Sequence, residues 1–157
     1  MKKILIIFAA LALFCSAAFA QKKGTQNHVI GFYNLENLFD TINDPNTNDE
    51  EFLPDGNYRW GALKYKNKLE NLAYAISRLG TDKFCPNGPA VIGVSEIENR
   101  QVLEDLIKTG ELANRNLDIV HFNSPDRRGV DVAMLYDRDQ FEVDTAISAR
   151  LFIECSP

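Results

Sequence analysis

The chain has 157 residues, 45% of them apolar and 25% charged, and carries a net charge of −5. That length and apolar content allow a hydrophobic core. The acidic balance excludes a strongly basic surface for nonspecific nucleic-acid binding, and beyond the first twenty residues no stretch is apolar for long enough to span a membrane.

Residues 1 to 20, MKKILIIFAALALFCSAAFA, place Lys2 and Lys3 before an uncharged run from Ile4 to Phe14, with small residues at Ala18 and Ala20. This is the layout of an export signal cleaved after Ala20, and its apolar stretch is short for a membrane span. Phe14 precedes Cys15 where a lipobox needs a small residue, so a lipid anchor is disfavoured and the expected destination is periplasmic or extracellular. Removing 20 residues from 157 leaves 137, enough for one domain expected over residues 27–157. The loss of two lysines moves the net charge from −5 to −7. A protein this acidic would need its repulsion neutralised before it met a phosphate compound, and a divalent cation held by carboxylates does that. Cys85 and Cys155 remain, either paired or as two free thiols, and one pair is no disulfide framework.

The alternation in HVIGFYN predicts a strand over 28–34 that ends on Asn34. Asp40 to Asn57, rich in Asp, Asn, Pro and Glu, reads as loop. Between Trp60 and Leu79 the residues Leu69, Leu72, Ala73, Ile76 and Leu79 recur at three and four. They predict an amphipathic helix stopped by Gly80, with Lys64, Lys66 and Lys68 outside. PAVIGVS, 89–95, reads as a strand covered on both faces, and it runs directly into Glu96, Glu98 and Asn99. Asn99 is the expected cap of a second helix with Val102, Leu103, Leu106 and Ile107 inward and Gly110 as its stop. Residues 117–122, 130–136, 141–147 and 151–153 follow as expected strands with no helix between them, so the fold class is layered α/β or α+β around a mixed sheet. Polar residues gather at two strand ends, Asn34 with Glu36 and Glu96 with Glu98. Such strand ends are where open α/β sheets place their chemistry.

GFYNLENLFD at 31–40, DPNTNDEEFLPDG at 44–56, the helix after Trp60, VIGVSEIENR at 91–100 and SPDRRGVDVAMLYD at 124–137 together resemble the endonuclease/exonuclease/phosphatase family, the DNase I-like fold, in its secreted bacterial branch. The resemblance implies a mixed β-sheet with flanking helices, here the first half of the usual two-sheet sandwich. It implies hydrolysis of phosphodiesters or phosphomonoesters, nuclease-like first of all, with a phosphate-ester substrate that includes nucleic acid among the candidates. Carried over by position, Asn34 and Glu36 match the family's Asn-x-acidic strand end, and Glu96 matches the glutamate that holds catalytic Mg²⁺, with Mn²⁺ as an alternative. Serine at 95 stands where relatives often carry glutamine. The family's later Asp-x-Asn and final Asp-His patterns have no counterpart before Pro157, so the chain is expected to be an amino-terminal portion lacking the carboxyl-terminal half of the domain.

Mg²⁺ takes hard oxygen ligands, keeps several waters and needs only one or two protein carboxylates, which suits Glu96 as anchor with Asn34 beside it. If the strand stays extended, Glu98 shares a side with Glu96 and supports it. Asp131 interrupts the apolar run VDVAMLY, and a buried carboxylate needs a partner. Arg127 or Arg128 is expected to pair with it, while Arg128 is also suited to bind a substrate phosphate. His28 and His121 read as ordinary sheet residues. Two other readings stand beside the phosphoesterase. One is a noncatalytic subunit that needs a partner to complete its sheet. The other is a calcium module in which Asp44, Asn46, Asn48, Glu50 and Asp55 take calcium-loop offsets, although the sixth position is Asp49 rather than glycine and no helix leads in.

Overall fold

The computed structural model describes residues 26–149. The expected export signal, the strand expected at 151–153 and Cys155 lie outside those residues. β1 spans Val29–Leu38, β2 Pro89–Ile97, β3 Leu117–Phe122 and β4 Asp131–Asp137; α1 is Ala62–Arg78 and α2 is Arg100–Ile107. The four strands form one sheet in the order β1-β2-β4-β3, with β1 and β2 parallel and β4 antiparallel to both of its neighbours. The mixed sheet expected from two βα units followed by helix-free strands is therefore present.

α1 forms where the three-and-four spacing predicts it, and the residues it buries are Leu69, Leu72, Ala73 and Ile76. They pack with Val102, Leu103 and Leu106 of α2 on one face of the sheet, against Ile92, Val94, Ile119 and Leu135. Each such leucine, isoleucine or valine withdrawn from water contributes roughly 1.5 to 3 kcal/mol before ordering costs. Gly80 ends the first helical segment at φ +65, where a Cβ would stand 2.7 Å from Val29 Cγ1. Only glycine meets both demands there. Asn99 caps α2 as expected, its Oδ1 accepting from the Val102 amide at 3.1 Å. Among the described residues the opposite sheet face is only partly covered and is apolar, with Phe32 67% and Val132 63% exposed.

The strand expected at 141–147 does not form. β4 lies between β2 and β3 with both of its edges already paired, so the segment that follows it cannot form a hairpin with it. Phe141 instead sets its ring against His28 at 4.9 Å. The loop at 40–57 is more ordered than its composition suggests. It contains a 3-10 turn at Glu50–Phe52, Phe52 stacks on Phe39 at 4.1 Å, and the Trp60 indole N–H donates to the Phe39 carbonyl at 2.8 Å. Of the three lysines expected outside α1, Lys66 stays at the surface in an exposed pair with Glu70. Lys64 reaches the Tyr58 carbonyl and half-buried Lys68 reaches the Glu36 carbonyl, both at the same end of the sheet.

Candidate active site at the ends of two parallel strands

β1 and β2 run in register from Ile30–Val91 to Asn34–Ser95, and then both ladders break. On β1 the next pair is Leu38–Ile97, so Leu35, Glu36 and Asn37 oppose the single residue Glu96. On the other side β2 skips Glu96 against β4, passing from Ser95–Val132 to Ile97–Asp131. Extra residues of this kind form bulges that re-aim side chains and sit characteristically beside active sites. The backbone there is left-handed at Glu36 (φ 53), Asn37 (φ 60) and Glu96 (φ 57), three of the four non-glycine residues with positive φ among those described. Side chains other than glycine enter this region at a cost of about 1 kcal/mol or more and cluster at functional sites when they do.

The bulge settles how the carboxylates are distributed. Ile92 and Val94 point into the core, and strict alternation would send Glu96 after them; the extra residue gives that place to Ile97, which is fully buried. Glu96 is left partly exposed on the strand next to Asn34, one residue beyond Asn34's ladder partner. Its carboxylate makes no hydrogen bond or ion pair among the described residues. Asn34 is exposed, and its Oδ1 accepts from the Glu36 amide at 2.7 Å, which fixes the side chain over the turn and leaves its amide N–H groups unclaimed among the described residues. The structure thus brings Asn34, Glu36 and Glu96 to one strand end.

Glu98 does not share Glu96's side as an extended segment would require. It is 8% exposed, its Oε2 accepts from the Asp40 amide at 2.7 Å, and its own amide donates to the Leu38 carbonyl at 3.0 Å. Burial pushes its pKa from 4.5 up to about 7; the Asp40 N–H pulls the other way, and the charges of Asp40, Asp49 and Asp44 add to the rise. The buried carboxyl ties the 40–49 loop to the end of β2.

Asp131 pairs with neither Arg127 nor Arg128. Its Oδ2 lies 2.7 Å from His121 Nε2, with both side chains 7% exposed, and its Oδ1 accepts from the Ser124 amide at 2.6 Å. His121 is adjacent because β3 and β4 are paired, a placement that residue spacing alone does not reveal. Arg128 is held instead by Asp126, through Nη2 at 2.9 Å and Nε at 3.2 Å. That pair raises its pKa, and the nearby Glu96 carboxylate adds to the rise. The two side chains thus lie within electrostatic reach of each other.

The stretch that offers calcium-loop offsets makes internal hydrogen bonds instead. Asp44 Oδ1 accepts from both the backbone and the side-chain amide of Asn46, while Asp49, at the position that wants glycine, turns inward to 1% exposure. No three or more His, Cys, Asp or Glu side chains converge as a metal cage among the described residues. A hard divalent cation carrying several waters does not need such a cage, and the donor set of one uncommitted carboxylate with an adjacent side-chain amide suits it.

A model described as the endonuclease/exonuclease/phosphatase family matches residues 29–157, and the chain belongs to that family. Neither the curated proteins nor the solved structures hold a match to it. The mixed four-stranded sheet with flanking helices agrees with the layered DNase I-like fold of that family, whose members act on phosphate esters and generally use a divalent metal. Among the described residues no helix is long and apolar enough to cross a membrane.

Proposed function

We propose that the protein is an exported, Mg²⁺- or Mn²⁺-dependent phosphodiesterase of nuclease type, and that its working groups are Asn34, Glu36, Glu96 and Arg128. The observation that carries this reading is the double bulge. Two neighbouring parallel strands hold Glu36 and Glu96 in left-handed backbone conformations at the same level as Asn34, and backbone strain persists only where the surrounding structure enforces it.

In this reading Glu96 holds the cation and the Asn34 amide orients a phosphate oxygen or a water. The bound cation supplies polarisation of the phosphoryl oxygen and stabilisation of the leaving group. Arg128 faces the substrate phosphate with the guanidinium N–H groups that Asp126 leaves free, a geometry suited to phosphate oxygens. Glu36, exposed and with no partner for its carboxylate among the described residues, is the group available to take a proton from attacking water. The amino-terminal signal accounts for export, and the site's acidity accounts for the need for a cation before a phosphate can approach.

The test pairs binding with activity in the full chain. Glu96→Ala should abolish Mn²⁺ binding seen by electron paramagnetic resonance and leave the melting temperature intact. Hydrolysis of plasmid DNA or a nitrophenyl phosphodiester should fall by more than about a hundredfold, beyond the usual cost of losing an outer metal partner. A variant that binds Mn²⁺ as the wild type does refutes the assignment.

A further inference from the structure

The hairpin loop of residues 123–130 joins the two strands farthest in sequence from β1, yet it ends beside the Glu96 bulge, where Asp131 pairs with Ile97. Its hydrogen bonds form one connected path. Asp131 opens β4 opposite Ile97, one residue past the Glu96 bulge. Buried with His121, it accepts from the Ser124 amide at 2.6 Å. Ser124 Oγ donates to the Val130 carbonyl at 2.8 Å and accepts from the Asp126 amide at 3.0 Å. Asp126 Oδ1 accepts from the Arg128 amide at 2.9 Å, and both its carboxylate oxygens hold the guanidinium. A second anchor comes from the 40s loop, where the Asn48 amide donates to the Arg127 carbonyl at 2.8 Å. Gly129 lies so close to Thr47 that a Cβ would stand 2.7 Å from Thr47 Cγ2.

We propose that His121 and Asp131 are positioning residues, a buried pair that fixes the 123–130 loop at the level of the Glu96 bulge and so holds Arg128 in place to bind a substrate phosphate. The proposal rests on the phosphodiesterase reading of the Glu96 site. A loop of eight residues has too many conformations to hold an exposed guanidinium without such an anchor. The fork of Arg128 is useful only at a fixed distance from the cation site. Asp131 makes a sound foundation because its carboxylate is out of water and committed on both oxygens, one to the neighbouring strand and one to the loop backbone. His121 supplies the strand-side contact, and Ser124 relays the placement to Asp126.

The experiment is a double-mutant cycle on the full chain, read by calorimetric binding of inorganic phosphate in the presence of Mn²⁺ and by Mn²⁺ affinity measured separately. Asp131→Ala and Arg128→Ala should each weaken phosphate binding about tenfold, the loss expected for a charged hydrogen-bonded contact. The double variant should be no weaker than either single one, and Mn²⁺ affinity should stay at the wild-type value throughout. Ser124→Ala, which cuts the path without removing a buried charge, should show the same non-additivity if Asp131→Ala does not fold. Additive losses refute the proposal, and so does a loss of Mn²⁺ affinity in Asp131→Ala or Ser124→Ala. Absence of phosphate binding by the wild type at millimolar concentration also refutes it. Failure of the Glu96 reading shows independently, as Mn²⁺ binding that survives Glu96→Ala.

Discussion

Replacing Glu98 with glutamine separates the cost of its charge from the hydrogen bond it makes. In the folded chain the carboxyl titrates near pH 7, because burial and then the charges of Asp40, Asp49 and Asp44 oppose ionisation. Unfolded, it returns to the ordinary value of 4.5. Below 4.5 both states hold the proton and the ionisation of Glu98 has no effect on stability. Between 4.5 and about 7 the unfolded chain releases its proton while the folded chain keeps it, so stability falls as pH rises, and above about 7 the full penalty is in force. A shift of this size has a ceiling of about 3 kcal/mol, and the effective dielectric at a loop edge reduces that to about 1 to 2 kcal/mol. The glutamine of Glu98→Gln still offers an oxygen to the Asp40 amide and carries no charge. Urea and thermal melts of wild type and Glu98→Gln at about pH 5 and about pH 8 measure the difference, with other titrating groups common to both proteins. At the higher pH the variant should be the more stable, its melting temperature higher by about 5 °C, and at the lower pH the advantage should shrink to about a quarter of that. Parallel pH profiles for the two proteins would sink this account of the strand end.

Gly80→Ala should destabilise the domain by about 1 to 3 kcal/mol in chemical denaturation, since φ +65 disfavours a side chain and the added Cβ meets Val29. A value near zero would mean that the helix end shifts freely. At the far end of the sheet Asp137 forms a buried pair with Arg115 at 3.1 Å. Burial alone would raise its pKa, but the Arg115 side chain, the Asp139 amide and the Gln140 amide together lower it. Its contribution is therefore present above the ordinary aspartate range and lost as pH falls through the depressed value, so Asp137→Asn should flatten the acid limb of the stability profile. Arg115→Ala should cost about 3 to 5 kcal/mol near neutral pH, as expected when a buried charge loses its partner, and a loss under about 1 kcal/mol would show that water reaches Asp137.

The helices are legible in the sequence because their spacing is local. Leu69, Leu72, Ala73 and Ile76 recur at the helical period, and the Asn99 cap and the Gly80 stop act within a few residues of themselves. The strand end at Glu96 is legible because an apolar run stopping in carboxylates is itself unusual. The bulge is not, since it depends on how many residues of β1 oppose β2, and that count exists only once the strands pair. The same reasoning covers the two failed pairings. Spacing along the chain matches Asp131 with the nearby Arg127 and Arg128, but the hairpin presents it with His121 across the β3–β4 ladder. The strand expected at 141–147 fails because its pattern is adequate but both edges of the strand before it are already taken.

Residue chemistry and short-range periodicity were enough to specify the helices and the apolar strands, and the likeness of several motifs pointed to the family that the chain belongs to. They could not specify that Glu98 is buried beneath Asp40, that Glu96 is left out of the core, or that His121 holds the base of the loop carrying Arg128. Those outcomes depend on which strands lie side by side and in what register. Asp40 and Glu98 stand 58 positions apart in the chain, and they meet only after the sheet has closed that distance.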